Sequence, residues 1–124
     1  MDFQPAGIIK CLPKRWYDEV GGEKYLEKCF RQNIAKHDWI FYQSMGGKPR
    51  YDVLYCYLLI NGLLRFRLNI VEILPGGTMT FRDRPIPQNW TARNWMILGS
   101  PVVEPAREMP MRGFQGFRYT QELF

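Results

Sequence analysis

The alternation of apolar and polar residues predicts a chain made mainly of β-strands. The strongest signal is LYCYLLI-NG-LLRFRLNIVEIL (Leu54–Leu74), in which two apolar runs flank Asn61-Gly62. Asn-Gly accepts positive φ at both central positions of a type I′ turn. The strand Val53–Ile60 is therefore predicted to pair with the strand Leu63–Leu74 as a hairpin.

The second strand of this hairpin predicts a sheet with two unlike faces, because side chains alternate with a period of two. The residues expected in the core are Leu64, Phe66, Leu68 and Ile70, and those expected on a wet face are Leu63, Arg65, Arg67 and Asn69. The alternation reverses at Val71–Ile73. A bulge or a bend of the strand around a barrel would produce that reversal.

The rest of the pattern predicts one strand, then helices, then further strands. GIIKCL (Gly7–Leu12) is typical of a buried strand, and apolar pairs at i, i+4 such as Leu26 and Phe30 predict helices after it. Aromatic and β-branched residues predict a strand at Asp38–Ser44. Shorter strands are predicted at TMTF, around 95–98 and in the closing GFQGFRYT.

This order of elements predicts an α+β fold. We expect a small, curved, mostly antiparallel sheet or barrel with N-terminal helices packed on it. A chain of 124 residues suffices for one core, so residues 1–124 are expected to form a single domain.

Composition narrows the class of protein without naming a reaction. No apolar run reaches the ~18 residues of a membrane span, and the N-terminus lacks the pattern of a signal peptide. Cys11, Cys29 and Cys56 are widely spaced, and a single histidine, His37, accompanies them. We therefore expect reduced thiols in a cytoplasmic protein with no membrane association, no metal site and no cofactor.

The charge distribution favours an anionic partner. There are 17 Lys and Arg against 12 Asp and Glu, a net charge of +5. Between residues 61 and 95 the cations are five arginines and no lysine. Arginine favours bidentate and stacking contacts, so nucleic acid is a natural candidate for the partner.

Several arginines and aromatic rings are candidates for such contacts, although each also has a structural explanation. Arg65 and Arg67 share the predicted wet face, where arginines often are simply solvated. One of the rings of Trp39, Phe41 and Tyr42 is a candidate to stack on a base, although such rings more often fill a core. In the closing strand, one face would carry Arg112, Phe114 and Arg118, a combination typical of nucleic-acid surfaces.

The evidence for catalysis is weaker. The glycine turns GGEK, SMGGKP and PGGTMT lack the spacing of a phosphate loop or a dinucleotide turn. Lys24, Glu27 and Asp38 are candidate acid-base groups, but their spacing does not bring them together.

The stretch AKHDWIFYQS, followed by RYDVLYCYLLINGLLRFRLNIVEI, resembles the PUA-like superfamily, in particular its EVE and ASCH branches. The opening GIIKCLPKRWYDEVGG is similar to the start of EVE domains, so the resemblance covers about residues 7–74. In these families a short charged motif precedes a strand. Here the motif corresponds to Lys36-His37-Asp38, and the strand ends near Tyr42 and Ser44. His37 stands where the motif usually has glycine.

Members of this superfamily commonly bind RNA or modified bases in DNA. The resemblance therefore implies a nucleic-acid-binding domain that reads a base in an aromatic pocket while arginines hold phosphates. The expected site residues are Trp39, Tyr42, Ser44, Arg65, Arg67, Arg112, Phe114 and Arg118. One alternative is a protein-binding module, such as a phage or mobile-element factor that blocks a host protein. Another is a small hydrolase of modified nucleosides.

Overall fold

The computed structural model describes residues 4–12, 23–34, 39, 41–86 and 92–124. Its elements in chain order are β1 (Gly7–Cys11), α1 (Glu23–Ile34), β2 (Phe41–Met45), β3 (Tyr55–Ile60), β4 (Leu63–Pro75), β5 (Thr80–Phe81), β6 (Arg84–Pro85), β7 (Asn94–Val103) and β8 (Phe117–Thr120). The predicted strands are thus present, and β6 adds a short one where a loop was expected.

Six of these strands form one curled sheet, a half-barrel with the order β2-β7-β4-β3-β1-β8. Only β1 and β3 run parallel within it, and the other four pairings are antiparallel. Strands β2 and β8 form its two edges, so β8 has β1 as its strand neighbour on one side only. The expectation of a curved, mostly antiparallel sheet is confirmed.

The predicted hairpin is confirmed, with φ of 50° at Asn61 and 79° at Gly62. The register between β3 and β4 then slips, because Leu58 lies opposite Phe66 whereas Leu59 lies opposite Leu64. Arg65 is the extra residue of this bulge. A second irregularity against β7, between Ile70 and Glu72, accounts for the reversed alternation predicted there.

The prediction of one wet face is wrong, because both faces of the sheet are covered. On the first face, Leu26 and Phe30 of α1 pack on a core that includes Cys56, Leu58 and Phe66. The second face carries two smaller clusters. One surrounds Tyr57 and is covered by residues 109–124, and the other contains Trp39 and Trp95 beside β5. Leu64 belongs to the Tyr57 cluster, since the bulge at Arg65 turns it away from Phe66.

The prediction of several N-terminal helices packed on the sheet is also wrong for the part of the chain that the structure describes. There the only helix is α1, with 12 residues. Its predicted face is confirmed, because Leu26 and Phe30 are buried while Lys24, Lys28 and Arg31 are exposed. The earlier part of the predicted helical region, residues 13–22, lies outside the described residues. Within them, no helix is both long enough and apolar enough to cross a membrane.

Candidate functional site

The closing segment builds an exposed basic and aromatic surface around β8. Antiparallel pairing with β1 sets Arg118 opposite Ile9 and Tyr119 opposite Ile8. The Arg118 guanidinium lies over the Phe114 ring, with 4.3 Å from its carbon to the ring centroid. The Phe114 backbone N–H donates to the Cys11 sulfur at 3.4 Å, so the ring under Arg118 is tied to β1.

The other side of β8 is fastened to the sheet. Phe117 and Tyr119 pack against the core on the α1 side, with their ring centroids 5.5 Å apart. The backbone N–H of Arg50 donates to the Tyr119 hydroxyl at 2.6 Å. Phe117 is half-buried rather than fully buried, because β8 is an edge strand. This anchoring leaves Arg118 exposed on the opposite side.

The Tyr119 contacts bring the segment Lys48–Tyr51 beside β8, which the sequence did not identify. The Tyr51 and Tyr119 rings meet edge to face at 5.0 Å, and Tyr51 remains 37% exposed. A groove of about 320 Å³ lies between this segment and β4, lined by Lys48 and Tyr51 but also by the acids Asp52 and Glu72. The sequence signal that could have identified this segment is KPRY, in which two cations stand next to an aromatic ring.

We use the name β8 edge for the exposed cations and rings on the two sides of this strand. Lys48, Arg50 and Tyr51 lie on the side of Tyr119. Phe114 and Arg118 lie on the opposite side, where Arg112 follows the contact of Met111 with the β3–β4 turn. Its four cations are exposed. None of the four forms an ion pair within the described part of the chain. Exposed guanidiniums beside a ring can hold an anion and stack on a planar group.

The predicted pocket residues Trp39, Tyr42 and Ser44 lie at the other end of the sheet, on or beside β2. Trp39 is 2% exposed, and its indole N–H donates to the Phe81 carbonyl at 3.1 Å. The Arg84 guanidinium covers the Trp39 ring at 3.9 Å and donates to the Trp39 carbonyl. Tyr42 and Ser44 are half-buried. Four strands separate this cluster from β8, so the structure does not assemble one pocket from both.

Arg65 and Arg67 do not share a solvent-facing surface, which corrects the prediction for this pair. Arg65, in the bulge, reaches Glu27 of α1 at 4.0 Å. Arg67 lies opposite Tyr57 under the closing segment, and its side chain is 14% exposed. It donates to the Glu122 carboxylate at 3.2 Å and also to the Phe124 carbonyl.

The described residues show no assembled catalytic group. Glu27 contacts Arg65, Lys24 is exposed, and Asp38 and His37 lie outside the described residues. Burial raises the pKa of the Cys56 thiol to about 12, so it is protonated and not nucleophilic at neutral pH. Cys11 and Cys56 are free thiols, and the side chain of Cys29 lies outside the described residues. No group of metal-binding side chains occurs among the residues described.

A scan against protein-family models, a search of curated proteins and a search of solved structures each found no match to the chain. The PUA-like resemblance therefore stays a prediction.

Proposed function

We propose that the protein binds single-stranded nucleic acid across the β8 edge. The observation that carries the proposal is Arg118, an exposed guanidinium stacked on an anchored ring at an open edge, with no acidic partner among the described residues. Arg112, Lys48 and Arg50 extend the positive charge to either side. Phosphates would contact these cations, because electrostatic contacts dominate affinity for nucleic acids.

The stacking part of the proposal belongs to Tyr51. Its ring is 37% exposed and edge-on to Tyr119, which limits its rotation. A base has a π-face whatever its identity, so a stacking tyrosine binds single strands with little sequence preference. Trp39 has no part in this proposal, because Arg84 covers its ring.

The test compares two variants that each remove two positive charges. Fluorescence anisotropy would follow a labelled single-stranded oligonucleotide, as RNA and as DNA, over a range of salt concentrations. Arg112→Ala with Arg118→Ala should weaken binding and reduce the salt slope by roughly 1.4, since each single-strand phosphate contact contributes about 0.7. Lys28→Ala with Arg93→Ala is the matched control, because Lys28 is on α1 and Arg93 precedes β7.

The control should keep the slope of the parent protein. The proposal fails if the parent binds neither oligonucleotide at low salt. It also fails if both double variants lose the same slope, since binding would then depend on net charge alone.

A further inference from the structure

A separate cleft lies on the sheet face opposite α1, formed by two tyrosines of β3 and one arginine of β4. Tyr57 and Arg67 are directly opposite each other in the β3–β4 ladder, so their side chains share this face. The Arg67 guanidinium lies over the Tyr55 ring at 4.4 Å, and the Tyr55 and Tyr57 ring centroids are 6.5 Å apart. The cleft therefore combines a flat cation with two phenol rings.

The chain fills this cleft with its own segment Glu122–Phe124, through backbone atoms, a carboxylate and a ring. The Leu123 N–H donates to the Tyr57 hydroxyl at 2.9 Å, and that hydroxyl donates to the Phe124 carbonyl at 3.4 Å. Arg67 donates to the same carbonyl and to the Glu122 carboxylate. The Phe124 ring meets the Tyr57 ring edge to face at 5.0 Å. The bound pattern is an acidic residue followed two positions later by an aromatic one.

Two features show that this internal ligand satisfies the cleft incompletely. The Nε of Arg67 is buried and has no hydrogen-bond acceptor among the described residues, which is costly for a charged group. The Glu122 side chain is 61% exposed, so its ion pair with Arg67 is screened by water and contributes little. A segment that supplied one more acceptor would bind Arg67 better than Glu122–Phe124 does.

We propose that Tyr55, Tyr57 and Arg67 form a recognition cleft for an acidic–aromatic peptide segment of a partner protein, which Glu122–Phe124 occupies in cis. The Leu123 N–H on the Tyr57 hydroxyl and the Phe124 ring beside it favour a peptide over a nucleic acid as the ligand. The residues of the cleft differ from those that define the β8 edge, so the two functions can be tested separately. The internal segment has a high effective concentration and thereby sets the affinity that a partner must exceed.

The experiment opens the cleft and supplies the peptide in trans. The open variant carries Glu122→Ser, Leu123→Gly and Phe124→Ser, and the probe is a capped, fluorescein-labelled peptide of sequence Thr-Gln-Glu-Leu-Phe. We expect saturable binding to the open variant and binding at least roughly tenfold weaker to the parent, where the cis segment competes. Adding Arg67→Ala to the open variant should abolish binding. A peptide with Gln for Glu and Ala for Phe is the control probe.

Several results would overturn this proposal. One is an open variant that is folded by circular dichroism and does not bind the peptide, and another is peptide binding that Arg67→Ala leaves unchanged. A gain in oligonucleotide affinity without peptide binding would show that the cleft is a nucleic-acid site instead.

If the open variant does not fold, Phe124→Ser in the parent background replaces it. That change removes the ring contact with Tyr57, so it should raise affinity for the probe peptide, and an unchanged affinity would contradict the proposal. Arg112→Ala with Arg118→Ala should leave peptide binding intact, which separates failure of this inference from failure of the proposed oligonucleotide binding.

Discussion

At the scale of single residues, the recurring contact is an arginine guanidinium that lies over an aromatic ring. The lysine-free stretch 61–95 predicted planar contacts, and three of its guanidiniums lie over rings, as does a fourth in β8. The pairs are Arg67 with Tyr55, Arg82 with Phe81, Arg84 with Trp39 and Arg118 with Phe114. Every one of these rings belongs to the protein itself. The residue type indicates that an arginine can stack on a ring. Only the tertiary structure decides whether that ring belongs to the protein or to a partner.

The burial of Cys56 can be tested through the pH dependence of protein stability. Burial raises the pKa of its thiol from 9.0 to about 12, so the unfolded state loses this proton first as pH rises. The contribution of Cys56 to stability is therefore constant below pH 9.0 and declines between pH 9.0 and about 12. Denaturant midpoints of the parent and Cys56→Val across this range should diverge, with the parent falling more steeply. Parallel curves would contradict the burial argument.

At the scale of elements, local sequence identified the turn between β3 and β4. The pairing register of these strands decided which side chains lie on each face of the sheet. Asn61-Gly62 predicts its hairpin because the positive φ is a property of those two residues alone. The bulge at Arg65 depends on how β3 and β4 align, which no local pattern specifies. One extra residue reverses the alternation. It therefore moved Leu64 to the second face and directed Arg65 toward Glu27.

Two neighbouring residues of β8 should affect different properties, one stability and the other binding. Phe117 packs half-buried against the core, so Phe117→Ala should cost about half of the roughly 3–5 kcal/mol typical of a fully buried Phe. Arg118→Ala removes only an exposed stack on Phe114, worth about 0.5–1 kcal/mol. Urea denaturation should separate the two variants, and oligonucleotide anisotropy should rank them in the opposite order. Equal losses of stability would contradict the alternation of β8.

At the scale of the whole molecule, the sequence predicted the curved sheet and part of the candidate site. Phe114 and Arg118 were expected on one face, and the structure places them in contact. Trp39 and Tyr42 were expected to join them in one pocket, but they lie beyond four intervening strands. Strand order is a long-range property that alternation does not encode. For the same reason, the cover provided by residues 109–124 on the second face was not foreseen.

The distribution of charge over the molecule leads to a kinetic prediction. Lys48→Glu and Lys28→Glu each lower the net charge from +5 to +3, yet Lys48 is at the β8 edge and Lys28 is on α1. At ~0.1 M salt the field of a charge is screened over about 10 Å, so steering depends on the nearest cations. Lys48→Glu should slow oligonucleotide association by roughly 3- to 10-fold in stopped-flow measurements, whereas Lys28→Glu should slow it much less. The difference should vanish at high salt, and equal slowing at low salt would assign steering to net charge rather than to the β8 edge.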